Sequence, residues 1–268
     1  MIDTNTYQIG PGSIVNLYDI ATRDNGGLEK KDGKKAVHEL IKRLVKLQEL
    51  LYAQQTKSLL VIFQAMDAGG KDSTTRRVFH KVNPSAMRVK SFKSPSLREQ
   101  SQDFLWRIHQ HVPQKGHIGV FNRSHYEDVV AVRVRNIHPK QVWQNRFEHI
   151  NAFERLLTDE GTIVLKFFLH ISKDYQKKRL QRRLDRPDKH WKFDPSDLQD
   201  RKRWNDFMQA YGETIERCSS KNAPWHVVPA ERRWYRDLIV LQTIVENLES
   251  LAMTFPEPNF EPSSIEIP

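Results

Sequence analysis

Apolar residues along this chain follow two alternating rhythms. Leu40, Leu44, Leu47 and Leu51 recur every three or four positions with lysines on the other face, which predicts an amphipathic helix over 34–55. Residues 58–63 (SLLVIF) are almost wholly apolar and run into a glycine-rich loop, as a parallel strand buried on both faces would. The alternation continues with a helix over 72–83 and a strand over 87–92. A helix over 97–112 carries Phe104, Leu105 and Ile108, and a strand over 117–121 follows. Pro139 suits the first position of a long helix whose buried stripe is Trp143, Phe147, Ile150, Phe153 and Leu157. After it come a strand over 162–169, a highly charged helical stretch over 172–217 broken near Arg186-Pro187-Asp188, a strand over 225–228 and a closing helix over 231–252.

Strands alternating with helices predict an α/β fold, an open parallel sheet with helices on both faces. Residues 1–33 have no clear period and contain Gly10-Pro11-Gly12 and Asn25-Gly26-Gly27, so they read as a loop-rich arm. The chain divides into an arm with its amphipathic helix (1–57), a main domain (58–253) and a Pro-rich tail (254–268). Within the main domain, the long polar stretch 172–217 reads as an insertion between two strands. The six tryptophans read as core before stacking platforms, with contact to a base as the alternative for any that lies near that insertion.

Composition narrows the field. Among 268 residues, 43 are Lys or Arg and 33 are Asp or Glu, a net charge of +10, which suits an anionic partner without choosing among nucleic acid, membrane surface and phosphate chain. The single cysteine, Cys218, excludes an internal disulfide framework and a multi-cysteine zinc site. Nothing at the N-terminus resembles a signal peptide and no apolar run approaches a membrane span, so a cytoplasmic location is the expectation.

Candidate chemistry begins where the first strand ends. Gln64-Ala65-Met66-Asp67-Ala68-Gly69-Gly70-Lys71-Asp72-Ser73-Thr74 joins strand to helix. Glycines let backbone N–H groups approach phosphate oxygens, the helix N-terminus adds positive potential and a lysine reaches the transferring phosphate. The pattern G-x-x-x-x-G-K-[ST] fails twice, with Ala65 at the first glycine and Asp72 at the metal-binding hydroxyl. An ordinary strand–turn–helix corner is the competing reading. Asp67 would repel a phosphate unless a metal or a lysine lies between them, which predicts Mg²⁺ there; a capping or turn role is the alternative.

Asn122-Arg123-Ser124-His125-Tyr126-Glu127-Asp128 leaves the third strand, whose exit should face the same loop. Arg123 suits the bridging of donor and acceptor phosphates, and Glu127 or Asp128 suits Mg²⁺ binding or orientation of the attacking phosphate. A capped, solvated helix start remains open for these acids. Of the eleven histidines, His125 alone stands near candidate chemistry.

These two segments, together with Asp185-Arg186-Pro187-Asp188-Lys189-His190-Trp191-Lys192 and Ala223-Pro224-Trp225-His226-Val227-Val228-Pro229, resemble the polyphosphate kinase 2 family, in order from about Leu59 to Leu248. The resemblance implies a thymidylate-kinase-like P-loop kinase fold with a helical lid, at about 172–204. It also implies Mg²⁺-dependent phosphate transfer between inorganic polyphosphate and nucleotides. Asp67, Gly70 and Lys71 fall on the family's phosphate loop and Arg123 on the arginine of its second motif. Asn122 departs from the aspartate that many members carry, which puts that position's metal role in doubt. The N-R-S-H-Y-E-D version resembles the class III branch, which phosphorylates both AMP and ADP.

In the lid, Arg179, Arg182, Arg183 and Arg186 share one helical face. Four like charges on a stripe disfavour an isolated helix, so an anion is expected there; a merely solvated basic helix is the alternative. The family match falls on Arg179, Arg183, Lys189, Trp191 and Lys192. The expected site therefore has Asp67, Lys71, Arg123 and Asp128 as catalytic groups, with Asp67 and Asp128 holding Mg²⁺. Ala68, Gly69, Gly70, Asp72, Ser73, Thr74, Lys90, Lys93, Asn122, Glu127, Arg179, Arg183, Lys189 and Lys192 bind phosphate or nucleotide. Expected partners are polyphosphate and AMP, ADP or ATP, with no nucleic acid and no membrane. Homo-oligomer contacts would run through the 34–55 helix or the tail. An ATP-dependent nucleoside or nucleotide kinase of the same fold and a basic nucleic-acid-binding protein are the competing functions.

Overall fold

The apolar run after residue 57 lies at the centre of a six-stranded sheet in a computed structural model that describes residues 2–267. The strands are β1 (Gln8–Ile9), β2 (Ser58–Gln64), β3 (Met87–Ser91), β4 (Ile118–Asn122), β5 (Thr162–His170) and β6 (Trp225–Pro229). They stand in the order β1-β6-β5-β2-β4-β3. The five long strands are parallel, and the two-residue β1 adds an antiparallel edge against β6. That edge strand is absent from the sequence reading, since two residues carry no periodicity. Every residue of β2 is buried, and each large apolar side chain so buried contributes about 1.5–3 kcal/mol.

The helices are α1 (Lys30–Gln54), α2 (Lys71–Val78), α3 (Leu97–Gln100), α4 (Trp106–His109), α5 (Glu127–Val134), α6 (Lys140–Asp159), α7 (Lys173–Leu184), α8 (Ser196–Lys202), α9 (Trp204–Arg217) and α10 (Arg233–Glu249). One group, α1, α2 and α10, packs together; α5, α6 and α9 form the other. Leu40, Leu44 and Leu51 are the buried stripe of α1, as its period predicts. The helix starts at Lys30 rather than at 34, and Gly33 lies inside it. A Cβ there would meet the Trp234 ring at 2.1 Å, so glycine permits the close approach of α1 to α10.

Three sequence expectations need correction. The α2 helix stops at Val78 instead of 83. The stretch 97–112 is two single-turn helices, because Asp103 Oδ1 accepts from Leu105 N (2.9 Å) and Trp106 N (3.0 Å) and restarts the chain. The charged stretch 172–217 is not wholly an insertion, since α9 buries Trp204, Phe207, Met208, Tyr211 and Ile215 and packs on α5. The polar part, α7 with a 3₁₀ turn (Pro187–Lys192) and α8, forms the lid-like element. Residues 2–29 lie across the domain: Leu17 is buried, its carbonyl meets His170 Nε2 at 2.9 Å, and Thr4 Oγ1 donates to Glu246 at 2.6 Å.

Candidate active site

Parallel strands β2 and β4 are neighbours, with Phe63 opposite Asn122, so their carboxyl ends open side by side. Strands β3 and β4 lie to one side of β2 and β5 and β6 to the other, which makes this the switch point where ligands of open α/β sheets bind. The loop leaving β2 is tight. Ala68 adopts φ +61° and Gly70 φ +104°. Lys71 is the first residue of α2 and is buried, with its Nζ donating to the Ala65 carbonyl at 2.9 Å. Burial, then the nearby Arg123 charge, lowers the Lys71 pKa against the pull of Asp67, Glu127 and Asp72. Ser73 Oγ and Thr74 Oγ1 both donate to the Gly70 carbonyl, at 2.9 and 3.0 Å, closing the loop on the helix.

Arg123 leaves β4 with φ +61°, an unusual conformation for a residue with a side chain. Its N–H donates to the Phe63 carbonyl at 3.1 Å, tying the two strand exits together. Its Nη2 donates to Asp67 Oδ1 at 2.6 Å. The charge of Glu127, then that of Asp67, pushes the Arg123 pKa up against burial. Asn122 Nδ2 donates to Asp72 Oδ1. Thus Asn122 pairs with the aspartate that stands where the common phosphate-loop pattern has a hydroxyl.

A groove of about 680 Å³ opens over these groups. Of the predicted residues, its walls bring together Asp67, Ala68, Gly69, Gly70, Lys71, Asp72, Ser73, Asn122, Arg123 and Lys93 on the sheet side with Arg179, Arg183, Lys189 and Lys192 on the lid side. Four predicted residues lie off the walls. Thr74 is buried behind the loop. Lys90 Nζ stands 5.7 Å over the Phe92 ring. Glu127 acts on Arg123 through charge. Asp128 turns to Arg146, with 3.6 Å between Oδ1 and Nη1. The Asp128 carboxyl is pushed up to about 6, by burial first, against the pull of Arg146. Asp67 thus lines the groove while Asp128 stands behind its wall, paired with Arg146. His125 is fully buried and also faces away from the groove, toward Glu154.

Sequence reasoning left out several wall residues: Arg76, Arg77 and Arg233, and the acids Asp194 and Asp197; Arg182 and Arg186 of the lid's cationic stripe and Trp191 of the family match line the wall as well. A signal for the first two was present, since Arg76 and Arg77 follow Ser73 by one helical turn. Arg233 carries no such mark; the sheet topology alone brings the start of α10 to the loop. Trp191 is 77% exposed and lies at the groove wall, unlike the buried Trp143, Trp204 and Trp225. The lid touches the loop directly, where Gln176 Nε2 of α7 donates to the Asp67 carbonyl at 3.0 Å. Arg183 Nη1 donates to Asp197 at 3.1 Å and to the Lys192 carbonyl at 3.0 Å, bracing the lid's own turn. A second depression of about 500 Å³, beside Arg133, Ile137 and Trp143, has neither the loop nor the cationic wall.

A phosphate loop at the switch point of a parallel sheet, roofed by a cationic helical lid, defines the P-loop phosphotransferase class. The family profile described as Polyphosphate kinase 2 (PPK2) matches residues 27–256, and the chain belongs to that family. It is 52% identical to the AMP/ADP-polyphosphate phosphotransferase of Meiothermus ruber over 254 residues, covering 94% of this chain and 95% of that protein. It is 42% identical to the ADP-polyphosphate phosphotransferase of Rhodopseudomonas palustris over 275 residues, covering 96% and 93%. Among solved structures, polyphosphate kinase 2 from Arthrobacter aurescens TC1 superposes with a TM-score of 0.94 at 39% identity, covering 98% of this chain and 95% of that one.

Proposed function

We propose that this chain transfers phosphate from inorganic polyphosphate to AMP and ADP, as the AMP/ADP-polyphosphate phosphotransferase it matches at 52% identity is named to do. The observation that carries the reading is the pairing of Asp67 with Arg123 beside the buried Lys71, all facing a lid wall of arginines and lysines in one groove. The acceptor phosphate is already an anionic nucleophile, so no strong general base is required. Its oxygen bonds to the terminal phosphorus of polyphosphate while the bridging P–O bond breaks, and polyphosphate leaves one unit shorter with the charge on its new terminal oxygen. Lys71, Arg123 and the lid arginines hold the two phosphates in line and offset that charge. Closure of the lid over them excludes water, which would otherwise take the phosphoryl group.

Mg²⁺ suits the acidic side of the groove. Among the described residues no group of three or more His, Cys, Asp or Glu gathers into a cation cage. Mg²⁺ is commonly held by one or two carboxylates plus water and phosphate oxygens, and the groove wall offers Asp67 and Asp72. When bound, the ion neutralises phosphate oxygens and fixes their geometry. Asp67, with its side chain 15% exposed, would hold it, giving up its Arg123 partner to the phosphates.

The reading extends to a cytoplasmic, nucleotide-rich setting. No helix among the described residues is long and apolar enough to cross a membrane. It also includes self-association through α1 or the tail, whose Phe255, Phe260 and Ile267 are exposed. The division into arm and helix (1–57), kinase domain with its lid (58–253) and tail (254–268) belongs to the same proposal. Lys71→Ala should abolish transfer from polyphosphate to AMP while leaving the free energy of unfolding within about 2 kcal/mol of the parent. Turnover near that of the parent protein would refute the assignment of the loop.

A further inference from the structure

The left-handed backbone of Arg123 persists only if its surroundings over-determine it, and the three residues after it are where that hold originates. Ser124, His125 and Tyr126 are buried to 2%, 0% and 0% exposure, which is unusual for polar residues leaving a strand at the mouth of a groove. The Tyr126 hydroxyl donates to Glu154 Oε1 at 2.6 Å and accepts from Lys166 Nζ at 2.9 Å. Lys166 Nζ also donates to Glu154 Oε2 and to the Cys218 carbonyl, both at 2.5 Å. His125 Nε2 meets Glu154 Oε1 at 3.3 Å. Burial raises the Tyr126 hydroxyl pKa far above its ordinary value and so keeps it a donor. Burial also opposes ionisation of Glu154, but Lys166 and His125 prevail and its carboxyl stays below its ordinary range.

Glu154 comes from α6 and Lys166 from the middle of β5, so neither belongs to the groove. Lys166 is 0% exposed, yet its neighbours in β5 (Val164, Leu165, Phe167, Phe168) are apolar. An apolar pair at these two positions would stabilise the fold at least as well as a buried ion pair. What the ion pair adds is directional: it holds one hydroxyl, three residues beyond Arg123, at a single point. Helix α6 supplies a second anchor two turns earlier, where Arg146 Nη1 donates to the Asp128 carbonyl at 3.0 Å. The β4 exit is thereby pinned from behind while Arg123 reaches forward to Asp67.

We infer that Tyr126, Glu154 and Lys166 are positioning residues of the transfer reaction, whose buried network fixes the β4 exit so that the Arg123 guanidinium stays aimed at the phosphate loop. This rests on the phosphotransfer reading above. Tyr126→Phe is the sharpest probe, because it removes one hydroxyl and leaves the Lys166–Glu154 pair and the ring packing in place. It should lower kcat by about tenfold to a hundredfold, the cost of a misplaced group near the reacting atoms, with KM for polyphosphate and AMP within about twofold. In an Arg123→Lys background the same substitution should cost much less, since both changes act on one guanidinium position. Hydrogen exchange should quicken over residues 121–128 and not over β2 or β5.

The double variant Glu154→Gln/Lys166→Met keeps the core neutral, and it too should lose kcat while keeping a near-parental melting temperature. Full kcat in Tyr126→Phe, an equal loss in the Arg123→Lys background, or exchange that quickens throughout the core would each overturn the inference. A parent protein that moves no phosphate from polyphosphate would instead refute the function. The exchange measurement would still decide whether the network fixes the exit.

Discussion

Gly69 carries a constraint that the imperfect phosphate-loop pattern conceals. A Cβ at Gly69 would stand 2.6 Å from Ala65 Cβ and 2.8 Å from the Met66 carbonyl oxygen. Ala65 occupies the place of the pattern's first glycine, and the loop closes over it because position 69 has no side chain. Gly69→Ala should therefore destabilise the protein by about 1–3 kcal/mol, as overpacking of a tight site does, and lose most of its transfer activity. Adding Ala65→Gly should recover only part of both, since the Met66 carbonyl still obstructs; thermal denaturation and initial rates check this. At this scale the sequence was legible wherever chemistry requires one residue type at one backbone position, as for Gly70, Lys71 and Arg123. It was not legible for the acids after Arg123, because Glu127 and Asp128 are adjacent and only the turn of α5 decides which faces what. Asp128 turns to Arg146, and Glu127 is the acid that bears on Arg123 and Lys71.

The lid is the element on which charge is most unbalanced, and one of its acids gives it a pH response. Asp197, braced by Arg183, has its carboxyl pushed up to about 6 by burial first and by the charge of Asp67 next. A polyanion entering the groove raises it further, so polyphosphate binds the protonated form better. Affinity should then rise as pH falls through about 6. Lowering the pH from about 7.5 to about 5 should reduce KM for polyphosphate by about fivefold in the parent and distinctly less in Asp197→Asn. That difference separates Asp197 from titration of the substrates' own phosphates, and equal slopes in the two proteins would contradict it. Strands were the most legible elements, because apolar runs such as 58–63 and 162–169 admit one burial pattern. The 97–112 region misled because Phe104, Leu105 and Ile108 keep a helical spacing across a break set by one Asp103 side chain. The α9 helix was hidden by the charged residues before it, although its own buried face is strongly apolar.

Across the whole molecule, a net charge of +10 becomes informative only once the fold concentrates it. Arginines from α2, α7 and the start of α10, distant in sequence, line one groove with Lys71 and Arg123. That convergence follows from strand order, which periodicity does not encode, and explains why Arg233 escaped sequence reasoning. The groove argues for a phosphate-rich ligand on physical grounds; polyphosphate as donor follows from family membership. The most direct test supplies the purified protein with AMP, Mg²⁺ and polyphosphate and no ATP, and follows nucleotides by chromatography. ADP should form first and ATP after it, with polyphosphate consumed in step. Phosphorylation that occurs only when ATP is the donor, or no transfer at all from polyphosphate, would contradict the account.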